Sequence, residues 1–253
     1  MIEAYWFGRQ PIARMFELQD EFFNEQRRRS RSGGEPLGVL LLAEHDPVYS
    51  VKRITTDFIP DCINAPPELL ATWAERRIIE IGGIPVPVIE AHPRGGRITY
   101  HGPGQLVVYT IIDMVRIFPR DTRPYPTELA EAVLTRALDK LGISTVPHCD
   151  AADCATVHTA ARGAWVEQDG ERRKIGSCGF YLDLATGVTS HGFALNVQPD
   201  LQFFDAISPC CIAGARATSL AAISGRTWDM GDMAGRLVDA CMEELHTPIR
   251  RFF

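Results

Sequence analysis

Arg94 to Gln105 reads RGGRITYHGPGQ, four glycines and a proline among two arginines, a threonine, a tyrosine and a histidine. Without a Cβ in the way, glycine backbone N–H groups can come close to a ligand. Leu106 to Asp113, LVVYTIID, follows at once and has the β-branched, apolar pattern of a strand. A glycine loop anchored on a buried strand is held where its groups can act on a ligand. A tight turn between two strands is the plainer alternative.

On either side of that loop, strands and helices mix without regular βαβ alternation. Residues 12–29 predict an amphipathic helix, with Ile12, Met15, Phe16, Phe22 and Phe23 near one face and Arg27, Arg28, Arg29 and Arg31 at its end. Leu37 to Ala43 suits a buried strand, after which His45-Asp46-Pro47-Val48-Tyr49 turns the chain. Pro66-Pro67 starts a short helix through Trp73. Ile78 to Ile81 and Ile84 to Ile89 predict strands about a Gly82-Gly83 turn, the second at a sheet edge because it carries two prolines. Helices are expected from Glu128 to Leu141 and from Met230 to Leu245. Between Gly163 and Val197 the pattern predicts three strands joined by turns at Asp169-Gly170 and Thr186-Gly187, with Lys174 opening the middle one. The fold class that follows is α+β: a single domain, residues 1–253, with a mixed β-sheet flanked by helices.

With 253 residues and 45% hydrophobic content, the chain can bury a substantial core. No apolar run approaches the ~20 residues of a membrane span, and the N-terminus lacks the layout of a secretory signal. A cytoplasmic protein with no membrane partner is expected. The net charge of −6 argues against a general nucleic-acid binder. Seven scattered cysteines do not resemble a disulfide scaffold, so reduced thiols are expected, one of them reactive. Only three of the 26 basic residues are lysine: Lys52, Lys140 and Lys174. A shielded lysine can give up its proton, whereas arginine cannot. Lys140 closes a helix ahead of Gly142, which leaves Lys174 as a candidate for chemistry. His148 to His158 holds two Cys, two His and two Asp, types that ligate zinc, but it lacks a C-x-x-C pair.

The best nucleophile lies in Ile207-Ser208-Pro209-Cys210-Cys211-Ile212-Ala213-Gly214, where the proline and small residues make a rigid, open loop. A thiolate, not a thiol, attacks carbonyl carbon, and a cationic neighbour favours the thiolate. Lys174 supplies that charge if the sheet brings the two loops together. The Cys-Cys pair leaves open which thiol acts.

Taken together, these residues resemble the lipoyl (octanoyl) transferase family, the octanoyl-[acyl carrier protein]:protein N-octanoyltransferases. The likeness is carried by RGGRITYHGPGQ, by His45-Asp46-Pro47-Val48-Tyr49, by Lys174-Ile175, by Ser190 to Asn196 (SHGFALN), and by Ser208-Pro209-Cys210 followed by Thr218-Ser219-Leu220. The resemblance implies a fold like the catalytic domain of biotin and lipoate protein ligases, and a two-step acyl transfer. Cys210 would carry the acyl thioester, while Lys174 would favour its ionised form and accept a proton. Arg94, Gly95, Gly96, Arg97, Ile98, Thr99, Tyr100 and His101 would line the acyl pocket, with Ser177, Cys178, Gly179, Gly192, Phe193 and Ala194. The implied donor is octanoyl-acyl carrier protein. The implied acceptors are lipoyl domains of 2-oxoacid dehydrogenases and the glycine-cleavage H protein. A monomer with no metal and no cofactor is expected, and a thioester donor carries its own activation, so no ATP site is required.

An eight-carbon tail needs a narrow apolar slot, worth roughly 5 kcal/mol at about 0.8 kcal/mol per CH₂, and the glycine backbone supplies candidate oxyanion donors. Acidic partners would need a local basic patch, for which Arg27 to Arg31, Arg94, Arg97 and Arg172-Arg173 are candidates. The chain departs from the family pattern at Cys211, where glycine is usual, and before Gly163, where Asp-Ala-Pro-Gly is usual. Two alternatives stand beside this reading: an ATP-dependent lipoate or biotin protein ligase of the same fold, and a non-enzymatic Cys/His metal or redox protein built on residues 148–158.

Overall fold

Ile2, Ala4, Leu40, Leu42, Leu106 and Val108 are fully buried on one face of a six-stranded sheet. The residues between them on the same strands, Val39, Leu41, Ala43, Val107 and Tyr109, are buried on the other face. This period of two with both faces apolar is the signature of a central sheet covered on each side. The computed structural model describes residues 1–52, 62–65, 73, 75–91, 93–148, 161–212 and 214–253. In chain order its first strands are β1 (Ile2–Gln10), β2 (Gly38–His45), β3 (Val48–Val51), β4 (Ile78–Ile81), β5 (Ile84–Glu90), β6 (Thr99–His101) and β7 (Gln105–Ile112). They are followed by β8 (Thr145–Val146), β9 (Trp165–Gln168), β10 (Glu171–Lys174), β11 (Gly176–Asp183), β12 (Val188–Asn196), β13 (Arg216–Ala217) and β14 (Ile249–Phe252).

The large sheet is ordered β11-β12-β7-β2-β1-β14, with β1 parallel to both its neighbours and the other pairs antiparallel. Helix α1 (Ile12–Ser32) covers the face bearing Val39 and Tyr109, with Met15 buried against it. Helices α2 (Pro126–Asp139) and α3 (Met230–Leu245) cover the other face. The stripe Leu129, Val133 and Ala137 is buried as its spacing requires, and Cys241 is a core thiol on α3. Two four-stranded sheets, β4-β5-β3-β6 and β13-β10-β9-β8, complete the mixed α+β architecture.

Several expectations are corrected. Strands β1 and β14 were not read from the pattern: a register shift between Trp6 and Arg9, with Gly8 at φ 63°, breaks the alternation of β1, and β14 is only four residues long. The proline-bearing β5 is not an edge strand, since β3 and β4 flank it. Pro85 and Pro87 pair only with β4, whereas pairing with β3 begins at Val88, so neither proline faces a ladder partner with its nitrogen. The strand expected to open at Lys174 is two strands. Lys174 ends β10, Ile175 is fully buried, and the chain then enters β11 in the large sheet. Ile175 N–H donates to the Ala164 carbonyl (3.0 Å), and its own carbonyl accepts from Asn196 (2.9 Å), which fixes the crossing point. Cys178, Cys210 and Cys241 are free thiols, but Cys62 is disulfide-bonded, so the thiols are not uniformly reduced. Most of the helix expected from Pro66 and the Cys/His segment beyond His148 lie outside the described residues. Among the described residues no helix is long and apolar enough to cross a membrane.

Leu134 on α2 is fully buried between α2 and the sheet beside Gly176. Leu134→Ala is expected to lower stability by about 2–5 kcal/mol, read as a reduced midpoint of urea unfolding with an unchanged slope.

Candidate active site

Lys174 is 6% exposed and stands where the chain leaves the small sheet, paired with Trp165 on β9 and Ala217 on β13. Its Nζ donates to Cys210 Sγ (2.7 Å) and to the Arg162 carbonyl (2.7 Å), and lies 5.4 Å from the centre of the Trp165 ring. Desolvating an ammonium is expensive, and these three contacts offset the cost. Cys210 sits in a turn spanning Pro209–Cys211, with φ 58° and ψ 16°. The turn is pinned from below, because Ser208 N–H donates to the Cys62 carbonyl (2.9 Å) and Ser208 Oγ to Asn64 Oδ1 (2.8 Å).

Both side chains open into a cavity of about 770 Å³. Its apolar wall includes Phe16, Ile98, Val107, Phe193, Phe204 and Ile207. The glycine loop forms another wall. Gly104 has φ 82°, and a Cβ there would lie 2.4 Å from the Gln198 carbonyl oxygen. Gln105 locks the loop: its Nε2 donates to the Tyr100 carbonyl (3.2 Å) and Asn196 Oδ1 (2.8 Å), while its Oε1 accepts from His101 Nδ1 (2.6 Å). Asn196 in turn donates to the Thr218 carbonyl (3.0 Å), and Thr218 N–H donates to the Lys174 carbonyl (2.9 Å). One hydrogen-bonded chain thus runs from the loop to the lysine strand.

Of the residues expected to line the pocket, Arg94, Gly95, Gly96, Arg97, Ile98, Thr99 and His101 do so, as do Ser177, Cys178, Gly179, Gly192, Phe193 and Ala194. Tyr100 does not. Strand alternation turns it to the opposite face, where its ring stacks on Phe203 at 5.0 Å. Arg94 is buried and fastens the loop to β3 through the Ser50 carbonyl (2.6 Å) and Ser50 Oγ (3.1 Å), so it cannot serve in a surface docking patch; burial pushes its guanidinium down to about 10. Arg27 pairs with Asp183, Arg28 and Arg29 with Glu25, and Arg173 with Asp169 and Glu171. The N–H of Gly95 is spent on the Phe180 carbonyl and that of Gly104 on Glu44, which removes both as oxyanion donors. Burial pushes the Cys178 thiol up to about 12, so it stays protonated beside the reactive pair.

Sequence reasoning missed Phe16, Tyr109, His191 and Asn196, which also line the cavity. Tyr109 looked like one more core residue of an apolar strand. His191 has φ 58° in mid-strand, with its N–H donating to Gln19 Oε1 of α1 (2.7 Å). No local pattern announces that conformation. Among the described residues, the other non-glycine positions with positive φ are Arg77, Asp169 and His246, and Asp169 and His246 sit at a hairpin turn and a helix cap. Strain at Cys210 and His191 therefore marks this cavity.

Comparison with solved structures gives the fold. A bipartite lipoate protein ligase from Thermoplasma acidophilum aligns with a TM-score of 0.62 at 15% identity, covering 99% of this chain and 86% of that one. Lipoate-protein ligase A bound with ATP aligns with a TM-score of 0.61 at 14% identity, covering 100% and 89%. At such identities the likeness shows a lipoate-ligase fold. The lipoyl protein ligase A/B catalytic domain model matches residues 72–242. The octanoyltransferase of Thermobifida fusca is 34% identical over 235 residues, covering 90% of this chain and 83% of that protein. That of Rubrobacter xylanophilus is 35% identical over 242 residues, covering 95% and 92%. The chain belongs to the lipoyl protein ligase A/B catalytic-domain family and, within it, to the octanoyltransferases.

His45 lies under the cavity wall with no exposed surface. Its Nδ1 donates to the Gln10 carbonyl (2.9 Å), and its Nε2 accepts from the Tyr109 hydroxyl (2.8 Å). Burial pushes its imidazole from 6.5 down to about 4. The unfolded chain binds this proton near pH 6.5 while the folded chain refuses it until about pH 4. Stability is therefore complete above pH 6.5 and is lost on acidification through that window, by about 1.4 kcal/mol per pH unit from this residue. His45→Gln should lower stability at pH 7 yet flatten its decline from pH 6.5 to pH 5, measured by denaturant unfolding at each pH.

Proposed function

We propose that this chain transfers an octanoyl group from acyl carrier protein to the lysine of a lipoyl domain or glycine-cleavage H protein, through a thioester on Cys210. The observation that carries this reading is the 2.7 Å contact between Lys174 Nζ and Cys210 Sγ in an apolar cavity. Membership of the octanoyltransferases supports the class of reaction.

The chemistry closes on itself. The Cys210 thiolate attacks the carbonyl carbon of the donor thioester. The tetrahedral intermediate collapses to octanoyl-Cys210, and the departing carrier thiolate takes a proton from Lys174. The acceptor lysine then attacks as a neutral amine. Lys174, now neutral, removes a proton from the new C–N centre, and the Cys210 thiolate leaves. An amide has formed, the resting ion pair is restored, and no nucleotide is consumed. A lysine suits this cycle because it alternates between acid and base. The apolar wall holds the tail at about 0.8 kcal/mol per buried CH₂.

Incubation with octanoyl-acyl carrier protein should give an octanoyl adduct in the intact mass, localised to Cys210 and absent from Cys210→Ser. An adduct localised to Cys211 would overturn the nucleophile assignment. An adduct formed only with free octanoate and ATP would overturn the reaction class in favour of a ligase.

Lys174→Arg keeps a cation beside the sulfur but cannot accept a proton. Transfer from preformed octanoyl-enzyme to a lipoyl domain should fall by about 10²-fold or more, followed by loss of the adduct mass. Undiminished transfer would reduce Lys174 to an electrostatic role.

A further inference from the structure

Lys174 reaches past the sulfur to one particular backbone carbonyl, that of Arg162 (2.7 Å). The peptide bond following that carbonyl is planar, so the Arg162 carbonyl and the Gly163 N–H turn together as one rigid unit. The Gly163 N–H points the other way and donates to Glu131 Oε1 on α2 (2.8 Å). The second oxygen of the same carboxylate accepts from Arg162 Nη1 (2.9 Å). Glu131, the 162–163 peptide, Lys174 and Cys210 therefore form a single file with steps of 2.8, 2.7 and 2.7 Å.

The plane is a demanding one. Gly163 has φ 125°, which side-chain-bearing residues rarely adopt, and a Cβ there would lie 2.3 Å from the Gly176 carbonyl oxygen and 3.0 Å from Lys174 Cε. The chain on either side is tied elsewhere, with Trp165 Nε1 donating to the Ala161 carbonyl (3.0 Å) and Ala164 exchanging bonds with Gly176 (3.1 Å each way). Hydrogen bonds in series also polarise one another, so a carboxylate on the N–H strengthens the carbonyl facing Lys174.

We propose that Glu131 is a positioning residue: by holding the Arg162–Gly163 peptide plane it aims the Lys174 amine at Cys210. The inference rests on the thioester reading above. Among the described residues, the charged and titratable groups around the pair are Arg162 from its own loop, Cys178 from β11, His148 on the Trp165 ring, and Glu131 with Glu128 from α2, the last 3.9 Å from Arg162 Nη2.

The test uses the full chain with octanoyl-acyl carrier protein, comparing wild type, Glu131→Ala, Glu131→Gln and Glu128→Gln. Two rates are followed: acylation of Cys210 by intact mass, and its alkylation by iodoacetamide against pH, read on fragment ions that separate it from Cys211. In Glu131→Ala, acylation should slow about ten- to a hundredfold, and the alkylation profile should move up by about one pH unit, or tenfold less thiolate at neutral pH. Glu131→Gln keeps an oxygen for the Gly163 N–H and should recover at least half of the lost pH shift. Glu128→Gln removes the neighbouring α2 carboxylate beside Arg162 but keeps the Glu131–Gly163 bond, and should stay within about threefold of wild type. General weakening of the fold would lower yield or melting temperature without moving the alkylation profile. A wild-type profile in Glu131→Ala, or an equal loss in Glu128→Gln, would overturn the proposal. An adduct persisting in Cys210→Ser would instead bring down the thioester reading, and this inference with it.

Discussion

An ammonium group almost out of solvent, 2.7 Å from a sulfur, is the contact around which this molecule is arranged. Neither partner would be held there by local structure alone. A buried lysine needs compensation on several sides, and here it comes from the sulfur, a carbonyl and an indole face. Each is delivered by a different segment. The sulfur comes from a turn anchored on residues 62–64, the carbonyl from the run into β9, and the indole from β9 itself. Cutting any of these supports leaves an expensive cation with one partner fewer.

The second constraint is backbone conformation. Cys210 and His191 both adopt left-handed geometry, which costs side-chain-bearing residues on the order of 1–3 kcal/mol each. The surrounding structure supports that cost locally: Gln19 of α1 caps the strained His191 N–H, and the Ser208–Asn64 contact braces the turn at Cys210. The helix that looks like a simple cover for the sheet therefore also holds part of the cavity wall. Its Gln19 and Gln26 are buried with Met15, while Phe16 and Phe22 remain half-buried, because two of the inward positions serve as hydrogen-bonding groups.

Much of this was legible in the residues. The periodicity of α2 and α3, the buried run of β7 and the glycine loop each announce themselves, because local spacing fixes which face is apolar. Lys174 and Cys210 stood out by residue type and by family likeness. Tyr100 was misplaced because the family motif was carried over whole, whereas the strand within it sends neighbouring side chains to opposite faces. Strands β1 and β14 were invisible because their pairing is parallel and long-range, with no hairpin turn to mark it. The break at Ile175 was hidden because the extended pattern runs on from β10 into β11, and the glycine at the crossing, Gly176, also suits a close approach inside a single strand. Glu131 had none because its role exists only through a peptide bond thirty-odd residues away.

The order of the large sheet has a further consequence. The catalytic-domain match spans residues 72–242, yet β2, which lies directly beside β7, and β1 beyond it come before that span, and so do Phe16 and His45. A fragment trimmed to the matched span would bare one whole side of β7, a long apolar edge ready to recruit foreign strands. Boundaries drawn by the catalytic-domain match and by the hydrogen-bond ladder thus disagree here by two interior strands, and the ladder decides what can stand alone.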